Sequence, residues 1–486
     1  MSINIGGIDA GIVIVYMLAV LGLGVWIGRG KQTADRYFLG DRSLPWGALL
    51  LSIVATETST VTFLSIPGLA AAAGGNLTFL QITFGYIVGR LGVIVILLPL
   101  YFRGRPFTAY EVLDTRFGAT SRRVVSSLFL LTRNASDALR LFLTALVLQI
   151  VLGLDLGVSV IVIGAVTIVY TFIGGARSVI WNDCIQFVIY MLGAVAAATI
   201  IVGETPGGLD ALRDFAVAED KLRILDFDFS LVAPGMTFWA GLAGGAFLTA
   251  ATHGTDQMMV QRYLSARGQQ QAALALGLSG FIVLVQFALF LLIGVGLASL
   301  LGGSETDLRN DQLFAHFIVY YMPVGLLGFT LAAVFAAAMS TLSSSLNSSA
   351  AAFVNDIWLP LRAAGADEAA GLRMGRLATI AFGVIQTGIA LAFGMLVSNE
   401  SIVANVLKIS GFAAGPVLGL YFLGVFAPQV RQRAALTGFV IGVAVLSSVA
   451  YMTAVHWAWY ALCGSLVTLA AGIVAARFDR PAREAR

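Results

Sequence analysis

Long apolar runs, each near 20 residues and separated by short polar stretches rich in arginine, follow one another along almost the whole chain. A helix needs about 20 apolar residues to cross a hydrocarbon core about 30 Å thick. The runs at roughly 8–28, 46–73, 77–102, 124–152, 156–175, 179–203, 235–254, 272–301, 325–353, 374–397, 402–426, 434–455 and 457–476 therefore predict about 13 transmembrane helices. The expected fold class is all-α, a polytopic membrane protein, because helices satisfy their own backbone in lipid. The first run has no basic region ahead of it and no small-residue cleavage site, so it reads as a retained span.

Several runs are interrupted, and the interruptions carry the chemistry. Ala55-Thr56-Glu57-Thr58-Ser59-Thr60 sits at the middle of the second span, with Pro67-Gly68 further on. A carboxylate at mid-span costs about 2.5–3.5 kcal/mol on insertion scales, so Glu57 is expected to face a cavity or a partner such as Arg90. The seventh span has Gly241, Gly244 and Gly245, then Thr249 to Gln257. Two weakened spans five helices apart point to two halves related as inverted repeats, with unwound backbone offering carbonyls to a cation at the midplane; an ordinary kink is the alternative at each.

The ninth span ends in Ala337 to Ser349, AAMSTLSSSLNSS, in which eight of the last ten residues are polar and none is charged. As a helix it sets Ala337, Ser340, Thr341 and Ser344 on one face. Hydroxyl and carbonyl oxygens are the ligands small hard cations take, but small residues also serve close helix packing, and both readings stand. In the fourth span Arg133, Asp137 and Arg140 can meet on one face, either as a neutralised structural cluster or leaving a guanidinium for an anionic solute. Lys408 reads as structural or snorkelling, and His253 as a satisfied helix-end histidine rather than a proton relay.

Composition agrees with the pattern. The 486 residues are 58% hydrophobic and 11% charged, with a mean hydropathy of +0.90, where soluble domains carry about 25% charged residues. The surroundings are membrane lipid, and a net charge of +3 gives no reason to expect nucleic acid. Cys184 and Cys463 form neither a disulfide framework nor a metal cluster. Of 29 Lys and Arg, 21 fall in one alternating set of loops and the tail, from Arg29 to Arg486, whereas only Arg213, Lys221, Arg223 and Arg309 lie in the other set. This bias predicts an N-terminus outside and a C-terminus in the cytoplasm of a plasma or inner membrane. The outer segment 204–234 is acidic, and 302–323 is expected to hold a short helix. No nucleophile and base converge and no nucleotide-binding loop occurs, so no enzyme is expected; few residues follow the last span, which argues against a sensor with an appended cytoplasmic module.

Four stretches carry a family resemblance. They are Tyr37-Phe38-Leu39-Gly40-Asp41-Arg42-Ser43-Leu44, Gly174 to Gln186 (GGARSVIWNDCIQ), Gly254-Thr255-Asp256-Gln257 with Val260-Gln261-Arg262-Tyr263-Leu264, and Met339-Ser340-Thr341-Leu342-Ser343-Ser344. Together and in this order they resemble the sodium:solute symporter family over nearly the whole chain. The resemblance implies a single transmembrane transporter domain: an extra helix at 8–28, a first repeat at 46–203, a second at 235–426, and two further helices at 434–476. It implies secondary active symport, in which downhill sodium influx drives uptake of a small organic solute by alternating access, in a chain functional as a monomer. Proton-coupled or uncoupled transport, with Glu57 or Asp183 titrating, and a membrane solute sensor are the alternatives.

By the same resemblance one sodium would be held by main-chain oxygens of Ala55, Thr58 and Ala337 and by the hydroxyls of Ser340 and Thr341. A second would use Asp183 with Ser340, Ser343 and Ser344, unless Asp183 partners Arg177 or caps a helix. The solute cavity would be lined by Glu57, Ser59, Thr62, Gln81, Asp137, Arg140, Phe247 and Thr252. Family members carry sugars, amino acids, sialic acid, monocarboxylates, vitamins, iodide or urea. Thr252 or His253 stands where sugar carriers have an aromatic, and Glu57 where proline carriers have an aspartate. Those two positions leave the choice of solute open.

Overall fold

The computed structural model describes residues 6–30, 32–152, 154–233, 235–302, 310, 312–362, 368–396 and 402–479. Every one of the apolar stretches named above contains helix. Among the described residues, eight helices are long and apolar enough to cross a membrane, or nine when one bent pair counts as a single span. The number falls short of 13 for local reasons. Helix Leu156–Glu204 has 49 residues and runs through two expected spans, bent at Gly175 (φ 58°, ψ −163°). At 1.5 Å per residue it is about 70 Å long, more than twice a hydrocarbon core. Glycine is required at the bend twice over, for its positive φ and because a Cβ would strike the backbone of Tyr37. The outer segment does contain a short helix, Leu313–Tyr321. The side chain of Lys408 lies outside the described residues.

The second span is broken. Helices Trp46–Glu57 and Thr60–Ala71 meet at 62°, and the residues between them, Thr58 (φ −84°, ψ 90°) and Ser59 (φ −85°, ψ 172°), are non-helical. Pro67 and Gly68 continue inside the second half rather than ending it. The seventh span differs from expectation. Gly241, Gly244 and Gly245 do not unwind it; they lie in or next to a π-helical turn, Ala240–Gly244, that passes into helix Gly245–Thr255. Gly241 packs on the backbone of Gln81, and Gly85 on the carbonyls of Gly241 and Leu242, so these glycines let two helices touch backbone to backbone. The chain leaves the helix instead at Asp256 (φ −80°, ψ 125°), whose side chain accepts from the Met258 N–H at 2.8 Å and starts helix Gln257–Leu264.

The hydroxyl-rich helix Leu326–Ala352 is the axis of the molecule. In the apolar window of its span 83% of residues are buried, against 22% in helix Gly7–Ile27, so the hydroxyl-rich helix is central and Gly7–Ile27 is peripheral. The two are tied at one end, where Asp9 Oδ1 accepts from the Gly325 and Gly328 N–H groups at 2.7 Å each. A carboxylate suits the N-terminal end of a helix because the unpaired N–H groups there carry partial positive charge.

Candidate cation and solute sites

Where a helix stops, its last carbonyls lose their partners four residues on. At the break after Glu57 two of these carbonyls face the hydroxyl-rich helix. Ser340 Oγ donates to Ala55 O at 2.8 Å and lies 3.3 Å from Ala337 O; Thr341 Oγ1 donates to Thr56 O at 3.1 Å and lies 3.4 Å from Ala337 O. Thr58 is anchored by its side chain, which accepts from Gln286 Nε2 at 2.7 Å. Ala55, Ala337, Ser340 and Thr341 thus meet at one junction, where the carbonyl that Thr341 reaches is that of Thr56 rather than Thr58; all five residues expected at the first cation site are fully or almost fully buried. A hydroxyl rotates freely about its C–O bond, so the Ser340 and Thr341 hydroxyls, which now donate to carbonyls, can turn their protons away and offer lone pairs instead.

Asp183, Ser343 and Ser344 lie beside this junction. Asp183 Oδ2 accepts from Ser52 Oγ at 2.5 Å and Thr56 Oγ1 at 3.2 Å, and pairs with Arg262 at 2.9 Å. Arg262 also bonds Ser344 Oγ. Asp183 therefore pairs with neither Arg177 nor a helix end. Its other oxygen, Oδ1, is buried with no hydrogen-bond partner. Sequence reasoning counted Arg262 as a loop charge, yet the residue is 3% exposed. The available signal was Ser52 and Thr56, four apart and so on one face of a helix whose only charged residue is Glu57.

The four stretches that carried the resemblance converge here. Gln261 Nε2 donates to Phe38 O at 2.6 Å and to Asn347 Oδ1 at 2.8 Å, and Asn347 Nδ2 donates to Tyr37 O at 3.4 Å. Tyr37 in turn rests on Gly175.

A cavity of about 960 Å³ runs along the break. Glu57, Ser59, Thr62, Arg140 and Thr252 line it, as do Asn76, Arg223, Asp226, Met236 and Trp457. Gln81, Asp137 and Phe247, expected on its wall, do not line it. Gln81 is fully buried, with Nε2 on Met236 O at 2.9 Å and Oε1 taking the Asp226 N–H at 2.9 Å, so its amide ties the loop around Asp226. Phe247 packs edge-on against Phe422. Asp137 is fully buried behind Arg140, with which it pairs, and lies 3.5 Å from Arg133, which reaches Asp256 at 3.8 Å. Arg140 Nε has no partner. On the opposite wall Glu57 pairs with Arg90, and His253 lies 3.3 Å from Arg90 and 2.8 Å from Tyr263 Oη. His253 is thus satisfied, as expected.

The profile of the sodium:solute symporter family matches residues 37–442. The chain belongs to the sodium:solute symporter family. Relatives include the sodium/sialic acid symporter SiaT of Proteus mirabilis, 28% identical over 99% of this chain and 97% of that protein. The sodium/sialic acid symporter NanT of Aliivibrio fischeri is 29% identical over 95% and 91%. The rabbit sodium-dependent multivitamin transporter is 29% identical over 89% of this chain and 68% of its own. A substrate-bound, outward-open sodium-coupled sialic acid symporter superposes with a TM-score of 0.90 over 99% of both chains, at 27% identity. Mhp1, a nucleobase-cation symporter, shares the fold alone, at 15% identity and a TM-score of 0.58 over 91% of this chain and 94% of its own.

This symporter is therefore an integral membrane protein of the all-α, inverted-repeat class that couples sodium to a small organic solute, and it is not an enzyme. Sodium is its transported ion, which sets aside the proton-coupled, uncoupled and sensor readings.

Proposed function

We propose that sodium is held by the main-chain oxygens of Ala55, Thr58 and Ala337 and the hydroxyls of Ser340 and Thr341, and that it joins the broken span to the hydroxyl-rich helix. The observation that carries this reading is the pair of hydroxyls directed at carbonyls that the break has released. A second sodium would rest on Asp183 with Ser340, Ser343 and Ser344; its support is the buried, unpartnered Oδ1. Ser344 would then share its hydroxyl with Arg262.

The solute we propose is a small hydroxylated organic anion, with sialic acid the first compound to test because two relatives that match this chain over 99% and 95% of its length are named for it. Arg140, with its buried unpartnered Nε, would take the carboxylate, and Ser59, Thr62 and Thr252 the hydroxyl groups. Arg133 is shared between Asp137 and Asp256, and Glu57 is already neutralised by Arg90, which leaves Arg140 as the guanidinium of the fourth-span group with an unpartnered N–H. A volume of about 960 Å³ is ample for a sugar acid, since pockets for such ligands span roughly 300–1,000 Å³.

Asn76, Arg223 and Asp226, which line the cavity, lie in the set of loops poor in Lys and Arg, which supports an outward-facing opening, an outer N-terminus and a cytoplasmic C-terminus. Repeats at 46–203 and 235–426, flanked by 8–28 and 434–476, follow from the same reading. Both candidate sites are built within one chain, consistent with a functional monomer. The test is thermal unfolding of the purified protein with sialic acid, sugars, amino acids and monocarboxylates, each in sodium and in choline. Sialic acid should stabilise in sodium only, because a ligand that binds the native state alone raises its stability. Stabilisation by a neutral sugar or an amine instead, with none by organic acids, would reject the anion reading.

A further inference from the structure

Arg262 does more than compensate Asp183. It rides on helix Gln257–Leu264, eight residues between the extended Asp256 and the loop beginning at Ser265. Its guanidinium reaches back across three elements. Nε donates to Ser52 Oγ at 2.9 Å, Nη2 pairs with Asp183 Oδ2 at 2.9 Å and also bonds Thr56 and Ser344, and Nη1 closes on its own helix at Met258 O, 2.6 Å. A small cleft of about 10 Å³ lies beside it, and its lining includes Val179, Gln261, Arg262, Ser265, Ser344 and Asn347. None of these six residues lines the large cavity. Arg262 and Ser344 are thus where the cation junction and this cleft meet, with the guanidinium between them.

We propose that Arg262 is the inner plug of the cation path: sodium leaves through the cleft at Val179, Ser265 and Asn347 when helix Gln257–Leu264 swings and draws the guanidinium off Asp183 and Ser344. The proposal rests on the sodium reading above. A short helix between a non-helical residue and a loop can move as one body, since hinges of this kind absorb φ/ψ changes at element ends. While seated, the guanidinium is a tethered cation. It closes the route with a positive charge, which sodium cannot pass, and it keeps the buried carboxylate paired, where removing one partner of such a pair is costly. Arginine suits the role because its fork of donors serves several oxygens at once and it does not lose its proton.

The test uses the full chain in proteoliposomes loaded with radioactive sodium and without solute. In Arg262→Gln, solute-free sodium efflux should rise about tenfold over wild type, with Arg262→Lys between the two. Thermal unfolding of wild type in sodium against choline is the control. If sodium does not stabilise wild type, the sodium reading falls and the plug with it. If sodium does stabilise wild type, and folded Arg262→Gln shows wild-type efflux, the plug alone is overturned. Should Arg262→Gln fail to fold, Ser265→Cys in a Cys184→Ala, Cys463→Ala background replaces it. Sodium should then slow alkylation of that cysteine by a polar maleimide several-fold relative to choline, and equal rates would overturn the proposal.

Discussion

Removing the Ser340 hydroxyl isolates one oxygen of the proposed sodium cage. Ser340→Ala deletes the atom that lies 2.8 Å from Ala55 O and 3.3 Å from Ala337 O, in a residue that is fully buried. Two effects follow. Without sodium, Ala55 O loses a hydrogen bond in a dry setting, which costs about 1–3 kcal/mol of stability whatever the ion. With sodium, a hydroxyl bound to a charge is worth about 1.5–3 kcal/mol, and each 1.36 kcal/mol is tenfold, so half-maximal uptake should need roughly 10- to 150-fold more sodium. Thr341→Ala should act alike, because Thr341 Oγ1 bridges Thr56 O at 3.1 Å and Ala337 O at 3.4 Å. Thr341→Ser, which keeps the oxygen, should stay near wild type. The assay is solute uptake titrated with sodium at constant ionic strength, alongside melting in choline to read the ion-independent loss. Sodium dependence within twofold of wild type in both folded alanine variants would refute the cage.

Asp183→Asn should lower the number of sodium ions moved per solute, read from reversal potentials in proteoliposomes. At 100 mV each sodium contributes about 2.3 kcal/mol, roughly fifty-fold accumulation, so losing one of two would be plain; an unchanged ratio would remove the second site. Arg140→Gln should weaken stabilisation by organic acids while leaving stabilisation by sodium alone intact, and equal losses in both would mark Arg140 as structural. Arg90→Leu should destabilise by about 3–5 kcal/mol because it strands Glu57, and Glu57→Gln in the same background should recover part of it, as melting curves would report.

Span lengths, the hydroxyl cluster and the interruption at Thr58 were legible along the chain because each is a local departure from a simple pattern. Apolar length reports a crossing, and a run of Ser and Thr in an otherwise apolar helix reports a buried polar face. The Arg133, Asp137 and Arg140 group was legible too, since spacings of three and four bring side chains together on any helix. The glycines of the seventh span misled for a physical reason: glycine marks both a weak helix and a close approach, and only the neighbouring backbone of Gln81 and Gly85 decides which.

By itself the sequence determined the class of molecule, the place of the break and the run of hydroxyls in one helix, because hydropathy, helix periodicity and oxygen content are properties of contiguous residues. Only the tertiary structure decided that Arg262 is buried against Asp183 and Ser344, that Gln81 ties the loop around Asp226 instead of facing the cavity, and that Asp183 keeps one oxygen unpartnered. A charge near a helix end looks the same in sequence whether it meets water or the protein interior, and residues 79 positions apart, as Asp183 and Arg262 are, become partners only through the packing of the helices that carry them.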